Sequence, residues 1–326
     1  MEEGAQVTGP DPLPPWPRPP GAVVAVGLFD GVHRGHAFLL ETLKAWAAER
    51  GAAPVAVTFD PHPEEILSGA APPLVASPAR RVELIRALGV SRVWLFPLTR
   101  GVMALTAREF AARYVRGALG GQGLLMGFDN RLGSDRADCA ALGAAAAGLG
   151  IEVRVCPPYL VEGEPVSSTA VRKAIIAGDL AAAERLLGRR VSVMGRVVRG
   201  RRIGRLLGFP TANLQTAGLA VVPCGIYAAE VTLEGRTLRA AMSVGSGPTA
   251  RPADIAPGTG PYAAAEHTVE VHIIGYDGDL TGKEIEARVV RKLREERRFP
   301  DYATLVAQIK KDIAAIETGA EPGEAT

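Results

Sequence analysis

Two histidines three residues apart, His33 and His36, follow a glycine-rich turn in the segment AVVAVGLFDGVHRGHAFLL. The valine-rich run before them predicts a buried strand and the apolar pattern after them a helix, so the pair stands at a helix entrance. That setting suits a phosphate. Small residues such as Gly27 and Gly31, which flank Phe29 and Asp30, let the backbone approach an anion. The first N–H groups of the helix point at it, and two imidazoles donate hydrogen bonds to its oxygens. An H-x-x-H pair alone is as often a helix cap as a ligand; the strand–turn–helix context favours the phosphate.

More polar side chains fall at strand ends. Asp60 and His62 lie in the proline-stiffened loop of TFDPHPEEIL, and Asp129 comes directly after the apolar run of LLMGFDNRLGSDR. Each alone is more often a turn-former than a site residue, but loops at the carboxyl ends of parallel strands share one rim. In EPVSSTAVRKAI, Ser167, Ser168 and Thr169 supply helix-capping hydroxyls, with Arg172 one turn inside. An arginine at a helix start opposes the helix dipole unless an anion is bound there, which makes Arg172 a candidate triphosphate ligand. A second cluster follows in GRVVRGRRIGRLLGFPTANLQ, where Pro210, two residues after Gly208, stiffens the chain before Thr211 and Asn213. Their side-chain oxygens, two residues apart on an extended segment, suit one Mg²⁺, a hard ion that takes oxygen ligands. In HTVEVHI, period two puts Glu270 on one face with Thr268 and His272, and Val269, Val271 and Ile273 on the other.

The elements that must position these residues fall into two sets. The runs AVVAVG, APVAVTF, RVWLFPL and QGLLMG alternate with helical patterns, which predicts a doubly covered parallel sheet. Thr106 and Glu109 form a capping box, the segment VRKAIIAGDLAAAERLLGR suits one linker helix, and the alanine-rich LGAAAAGLG predicts a buried helix. After about residue 187 come strands without intervening helices, VSVMGRVV, GIYAAEVTLEG, TLRAAMSVG, HTVEVHIIG and EIEARVVRKL, then an amphipathic helix, DYATLVAQIKKDIAAIE. This is the pattern of a small antiparallel barrel or sandwich. The fold class is α/β plus β, with flexible tails over residues 1–20 and 319–326, one domain over 21–187 and a second over 188–318.

With 326 residues, 47% hydrophobic and 22% charged, the chain is long enough for about two domains and too apolar to be disordered. A net charge of +2 and 5% aromatics offer no stacking platform for nucleic acid and no polybasic membrane patch. The three cysteines, Cys139, Cys156 and Cys224, are too scattered for a disulfide framework or a zinc site. The proline-rich start lacks the pattern of a signal peptide, and no run reaches membrane-spanning length. A cytoplasmic protein is expected.

The segments GLFDGVHRGH, TFDPHP and VSSTAVR resemble, in order, the nucleotidyltransferase module of bacterial bifunctional riboflavin kinase/FAD synthetases. The order GFPTANL, GIYAAEV, GPT, VEVH, GDLTG and KLREERRF resembles their riboflavin kinase module across roughly residues 190–315. The resemblance implies a Rossmann-like first domain that adenylylates FMN with ATP to FAD, and a barrel that phosphorylates riboflavin with ATP to FMN. It implies that Gly27, Phe29, Asp30, Gly31 and Asp60 line the nucleotide and flavin site. His33 and His36 would bind the ATP phosphates, Asp129 would lie in the pocket, and Ser168, Thr169 and Arg172 would hold the triphosphate. In the second module it assigns Thr211 and Asn213 to the Mg²⁺ of MgATP, Gly208 and Pro210 to the substrate loop, Glu270 to the general base, and Arg294 to a loop over the flavin. The family pattern G-x-D-F-x-F-G reads GFDNRLG here, with Asn130 and Leu132 in place of two rings. Asparagine, arginine and tyrosine are common where Ser243, Gly247 and Thr281 stand. Two alternatives keep these residues in other roles: a kinase with an impaired adenylyltransferase, and a non-catalytic flavin or nucleotide sensor.

Overall fold

Strands apolar on both sides need cover on both sides, and the first half of the chain builds such a sheet. The structure, a computed structural model, describes residues 13–200, 203–216, 218–245 and 268–319. The chain divides into two units, Met1–Ser168 and Thr169–Thr326. In the first, β1 (Ala22–Val26), β2 (Ala53–Asp60), β3 (Arg92–Pro97), β4 (Gly121–Gly127) and β5 (Glu152–Cys156) form a parallel sheet in the order β3-β2-β1-β4-β5. Alternate residues feed two cores. Val24, Val26, Val57, Phe96 and Leu124 enter one, while Val23, Ala25, Ala56, Val93 and Leu125 enter the other. The second core is covered by α1 (Arg34–Glu49), through Leu39, Leu40, Leu43 and Trp46. Strand order reverses between β1 and β4, so a crevice opens there at the strands' carboxyl ends.

Around the sheet lie α2 (Pro63–Ser68), α3 (Pro78–Ala87), α4 (Arg100–Met103), α5 (Ala107–Phe110) and α6 (Cys139–Ala147). The capping box at Thr106 is present, and α5 runs on as a π-helical segment over Ala111–Ala118. The alanine-rich α6 is not the buried helix that was expected, because Leu142 and Ala146 alone are buried along it. A short hairpin, β6 (Leu160–Val161) with β7 (Glu164–Pro165), precedes the last residues of the unit. The proline-rich start is docked where it is described: Trp16 packs against the core, and Arg18 donates to the carbonyl of Arg116. Residues 1–12 and 320–326, most of the two expected tails, lie outside the described residues.

In the second unit the expected linker helix is two helices, α7 (Ser168–Ala177, whose first residue closes the first unit) and α8 (Leu180–Leu187). Gly178 takes a left-handed φ of 78°, and the Asp179 carboxylate accepts from the N–H of Ala182, which ends one helix and caps the next. Then come β8 (Ser192–Val198), a short helix α9 (Ile203–Leu206), β9 (Ala212–Gln215), β10 (Gly225–Leu233), β11 (Arg236–Gly245), β12 (Thr268–Ile273) and β13 (Glu284–Arg294). The six strands close a barrel in the order β10-β11-β12-β9-β8-β13. Met242, Val244, Val269, Val271, Ile273 and Leu214 are buried in it. The terminal helix α10 (Tyr302–Thr318) lies on the barrel through Ile316, which packs with Ala228 and Leu293.

Candidate active sites

The turn after β1 is held in a strained shape. Phe29 (φ 52°), Gly31 (φ 76°) and Val32 (φ 41°) all have left-handed backbone, which for Phe29 and Val32 is a cost that persists only where surroundings enforce it. A side chain at Gly31 would strike Val75, whose Cγ1 lies 2.6 Å from the ideal Cβ position, so glycine is required by conformation and by space. Asp30 is buried and accepts from the backbone N–H groups of Val75 (2.9 Å) and Ala76 (3.1 Å). Its carbonyl accepts from the Ser168 hydroxyl at 2.9 Å. Asp30 is therefore an anchor of the turn, with its carboxylate oxygens directed at backbone donors.

His33 is buried and caps α1, its Nδ1 accepting from the N–H of His36. The helix-cap reading of His33 is what this bond shows. The two imidazoles stack with centroids 3.7 Å apart and planes 16° from parallel, and Phe29 meets His36 edge-on at 5.2 Å. Burial pushes the pKa of His36 well down from its ordinary value, and the neighbouring His33 and Arg81 push the same way. His36 is a neutral ring with a buried Nδ1 that lacks a hydrogen-bond partner among the described residues.

The other rim residues divide. Asp60 ends β2 and is exposed, while His62 caps α2 by accepting from the N–H of Glu64. Asp129 is exposed in the turn after β4. Asn130 folds back, its Nδ2 donating at 3.1 Å to the carbonyl of Val26, and so bridges the ends of β1 and β4 across the switch point. Leu132 packs against the core. The exposed ring on this rim belongs to Phe128. Thr169, exposed, and Arg172, half-buried, follow in the first turns of α7.

The residue missed from sequence is Arg81, 1% exposed in α3. Its Nη1 donates to the Leu28 carbonyl (2.6 Å) and the Thr58 hydroxyl (3.2 Å), and its Nη2 to the Phe59 carbonyl (2.9 Å). A signal existed in PARRVELIRA. Arg81 and Ile85 are four apart, and both belong to the inward face of that helix.

The second site is a row across the barrel wall. Glu270 on β12 pairs with Asn213 on β9 and with Ser243 on β11, so the three side chains share a face. Thr211 donates from Oγ1 to Oε2 of Glu270 at 3.2 Å. His272 bonds through Nδ1 to the carbonyl of Pro210 at 2.8 Å and meets Phe209 edge-on, which fixes the proline turn over the row. A carbonyl only accepts, so this Nδ1 carries the proton. The turn is also tight at its start: a Cβ on Gly204 would lie 2.4 Å from the Phe209 carbonyl oxygen.

Gly208 and Pro210 belong to this loop. Arg294, however, is not in a loop. It ends β13 and is clamped by Asp312 of α10, with Nη2–Oδ2 at 2.8 Å and Nε–Oδ1 at 3.1 Å. A strand long enough to reach the helix converts the expected loop arginine into a barrel–helix tie. Gly247 and the segment 250–266 lie outside the described residues. Among the described residues no three His, Cys, Asp or Glu side chains cluster as a metal site, whereas Thr211, Asn213 and Glu270 together offer hard oxygen donors.

A family model described as FAD synthetase matches residues 17–170, and one described as riboflavin kinase matches residues 187–319. The bifunctional riboflavin kinase/FMN adenylyltransferase of Pseudomonas fluorescens is 35% identical over 93% of this chain and 94% of its own length. The protein of the same name from Escherichia coli strain K12 is 33% identical over 90% of each chain. Among solved structures, one titled as a macrolide-efflux protein from Streptococcus pneumoniae has a TM-score of 0.74 and 29% identity, and the match covers 91% of this chain and 94% of that one.

Proposed function

The chain belongs to the bifunctional riboflavin kinase/FMN adenylyltransferase family, and from that premise we propose which of its residues perform the two reactions. It is a two-activity transferase that phosphorylates riboflavin with ATP to FMN and adenylylates FMN with ATP to FAD. Its substrates are therefore small molecules. Residues 188–318 carry the first activity and residues 21–187 the second, in a cytoplasmic enzyme. Among the described residues no helix is long and apolar enough to cross a membrane.

In the kinase, Glu270 accepts the proton of the ribityl 5′-hydroxyl as its oxygen attacks the γ-phosphorus and ADP leaves. The Thr211 hydroxyl on Oε2 holds the carboxylate in place, leaving Oε1 for the substrate. Thr211 and Asn213 would hold Mg²⁺, which supplies charge neutralisation at the phosphate oxygens. Gly208 and Pro210 shape the covering loop, while Arg294, held on Asp312, ties α10 to the end of β13. In the adenylyltransferase no protein nucleophile is needed: the FMN phosphate attacks the α-phosphorus in line and pyrophosphate leaves. His33, His36 and the start of α1 receive the ATP phosphates, with Ser168, Thr169 and Arg172 on the triphosphate. Gly27, Asp60 and Asp129 form the surrounding rim, and Phe29, Asp30 and Gly31 shape the turn beneath it from inside the fold.

The observation that carries this reading is the Asn213–Glu270–Ser243 row with Thr211 on its carboxylate. The test is a timed chromatographic assay with riboflavin, ATP and Mg²⁺, run beside one started from FMN. FMN that rises and then converts to FAD is expected, and Glu270→Ala should stop the first step while sparing the second. Loss of both steps in that variant would overturn the two-site assignment. A second reading, weaker FMN binding at the adenylyltransferase, is favoured by Asn130, whose amide is spent on Val26. It is tested by the FMN Michaelis constant of wild type against Phe128→Ala, since Phe128 is the ring left exposed on that rim.

A further inference from the structure

A buried arginine that touches no core carboxylate through a hydrogen bond is costly, and Arg81 is one. Its hydrogen bonds go to two carbonyls and a hydroxyl, all neutral acceptors. We propose that Arg81 is a positioning residue of adenylyl transfer: from inside the fold its guanidinium fixes the carboxyl ends of β1 and β2 and so holds the Gly27–His33 turn in the shape that receives the ATP phosphates. The inference rests on reading that turn as the phosphate site.

The geometry is specific. Leu28, whose carbonyl takes both Arg81 Nη1 and the Thr58 hydroxyl (2.8 Å), immediately precedes the left-handed Phe29. Three anchors surround the strained segment: Arg81 on Leu28, the Val75 and Ala76 N–H groups on Asp30, and Ser168 on the Asp30 carbonyl. Two of these anchors are charge-assisted and so the stronger ones, the Asp30 carboxylate and Arg81, and Arg81 alone brings a positive charge. It also links the turn to β2 through Phe59, so a shift of either strand end would move both.

Two carboxylates, Asp30 and Asp60, act on this guanidinium through space rather than through hydrogen bonds. Burial lowers the Arg81 pKa, and Asp30 and Asp60 oppose this without cancelling it. His36 faces stacked His33, the edge of Phe29 and the field of Arg81 from α3. A positive field that disfavours a proton on His36 favours an anion at the same place. Arg81 Nε and His36 Nδ1 are both buried without a hydrogen-bond partner among the described residues, as in a polar site that a ligand completes.

The experiment uses the full chain with Arg81→Met and Arg81→Lys. FAD formation from FMN and ATP is measured beside FMN formation from riboflavin, and His36 is titrated by its ring-proton resonance. Arg81→Met should lower kcat/KM for ATP in FAD formation by about 100-fold, the scale of a misplaced reacting group, while FMN formation is unchanged. Its His36 midpoint should rise. Arg81→Lys, which keeps the charge and loses the fork, should keep the low midpoint and recover part of the rate. An unmoved midpoint with unchanged kcat/KM in Arg81→Met would overturn the proposal. So would a first unit that unfolds equally in both variants, since that marks a purely structural staple. If the wild-type turn binds no ATP, the phosphate-site reading fails instead, and the titration still reports whether Arg81 acts on His36.

Discussion

A neutral histidine packed under a strained turn makes stability depend on pH. His36 has an ordinary pKa of 6.5 when unfolded and a value well below it when folded. Between those two values the unfolded chain binds more protons, so stability is complete above pH 6.5 and is lost as pH falls toward the folded value. The loss is at most about 1.4 kcal/mol per pH unit for one proton. Thermal unfolding scanned from pH 8 to pH 4 should show that decline, and His36→Gln should flatten it; an equal slope in both would show that other groups carry it. At the same scale, Glu270→Gln should slow FMN formation by about 10² to 10⁴, the range of a lost general base, with little change in thermal midpoint because the side chain is half-buried on the loop-covered face. His33, His36, Thr211, Asn213 and Glu270 were legible because their spacing sat on clear strand and helix patterns. Arg81 and the inward turn of Asn130 were not, since both depend on contacts between residues 22 to 104 positions apart.

Elements were readable where periodicity was strong and misread where one residue decided a boundary. The parallel strands announced themselves as continuous apolar runs, and the capping box marked the start of α5. The split between α7 and α8 turns on Gly178 and Asp179, and the burial of α6 depends on neighbours that alanine composition does not reveal. The end of β13 was equally hidden, because Asp312 lies 18 residues from Arg294. That tie is largely out of water, the side chains being 19% and 9% exposed, and Gln308 also donates to Asp312 at 2.7 Å. Arg294→Ala should therefore destabilise the barrel by about 3 kcal/mol in urea unfolding by leaving a buried carboxylate unpaired. A double-mutant cycle with Asp312→Asn should show coupling. Strict additivity would mean that α10 is held by its apolar face alone.

For the molecule as a whole, two units with separate cores imply separable chemistry. On the proposed assignment Glu270→Ala and His36→Ala chains should each fail to make FAD from riboflavin, and their mixture should restore FAD at a rate set by free FMN. No restoration would mean that FMN does not pass through solution. The order of fold classes, sheet first and barrel second, was visible from the change in pattern near residue 187, whereas barrel closure required the β13–β10 pairing that no local pattern encodes. On β12, Glu270 alternates with Val269 and Val271, which are buried. A one-residue slip of that strand would exchange the two sets, sinking a carboxylate among valines and exposing the valines to water. Correct parity of a single strand is thus a shared requirement of core and chemistry. With Glu270 as the proposed base, kinase turnover serves as a gauge of register: a barrel that phosphorylates riboflavin has been threaded with this strand in phase.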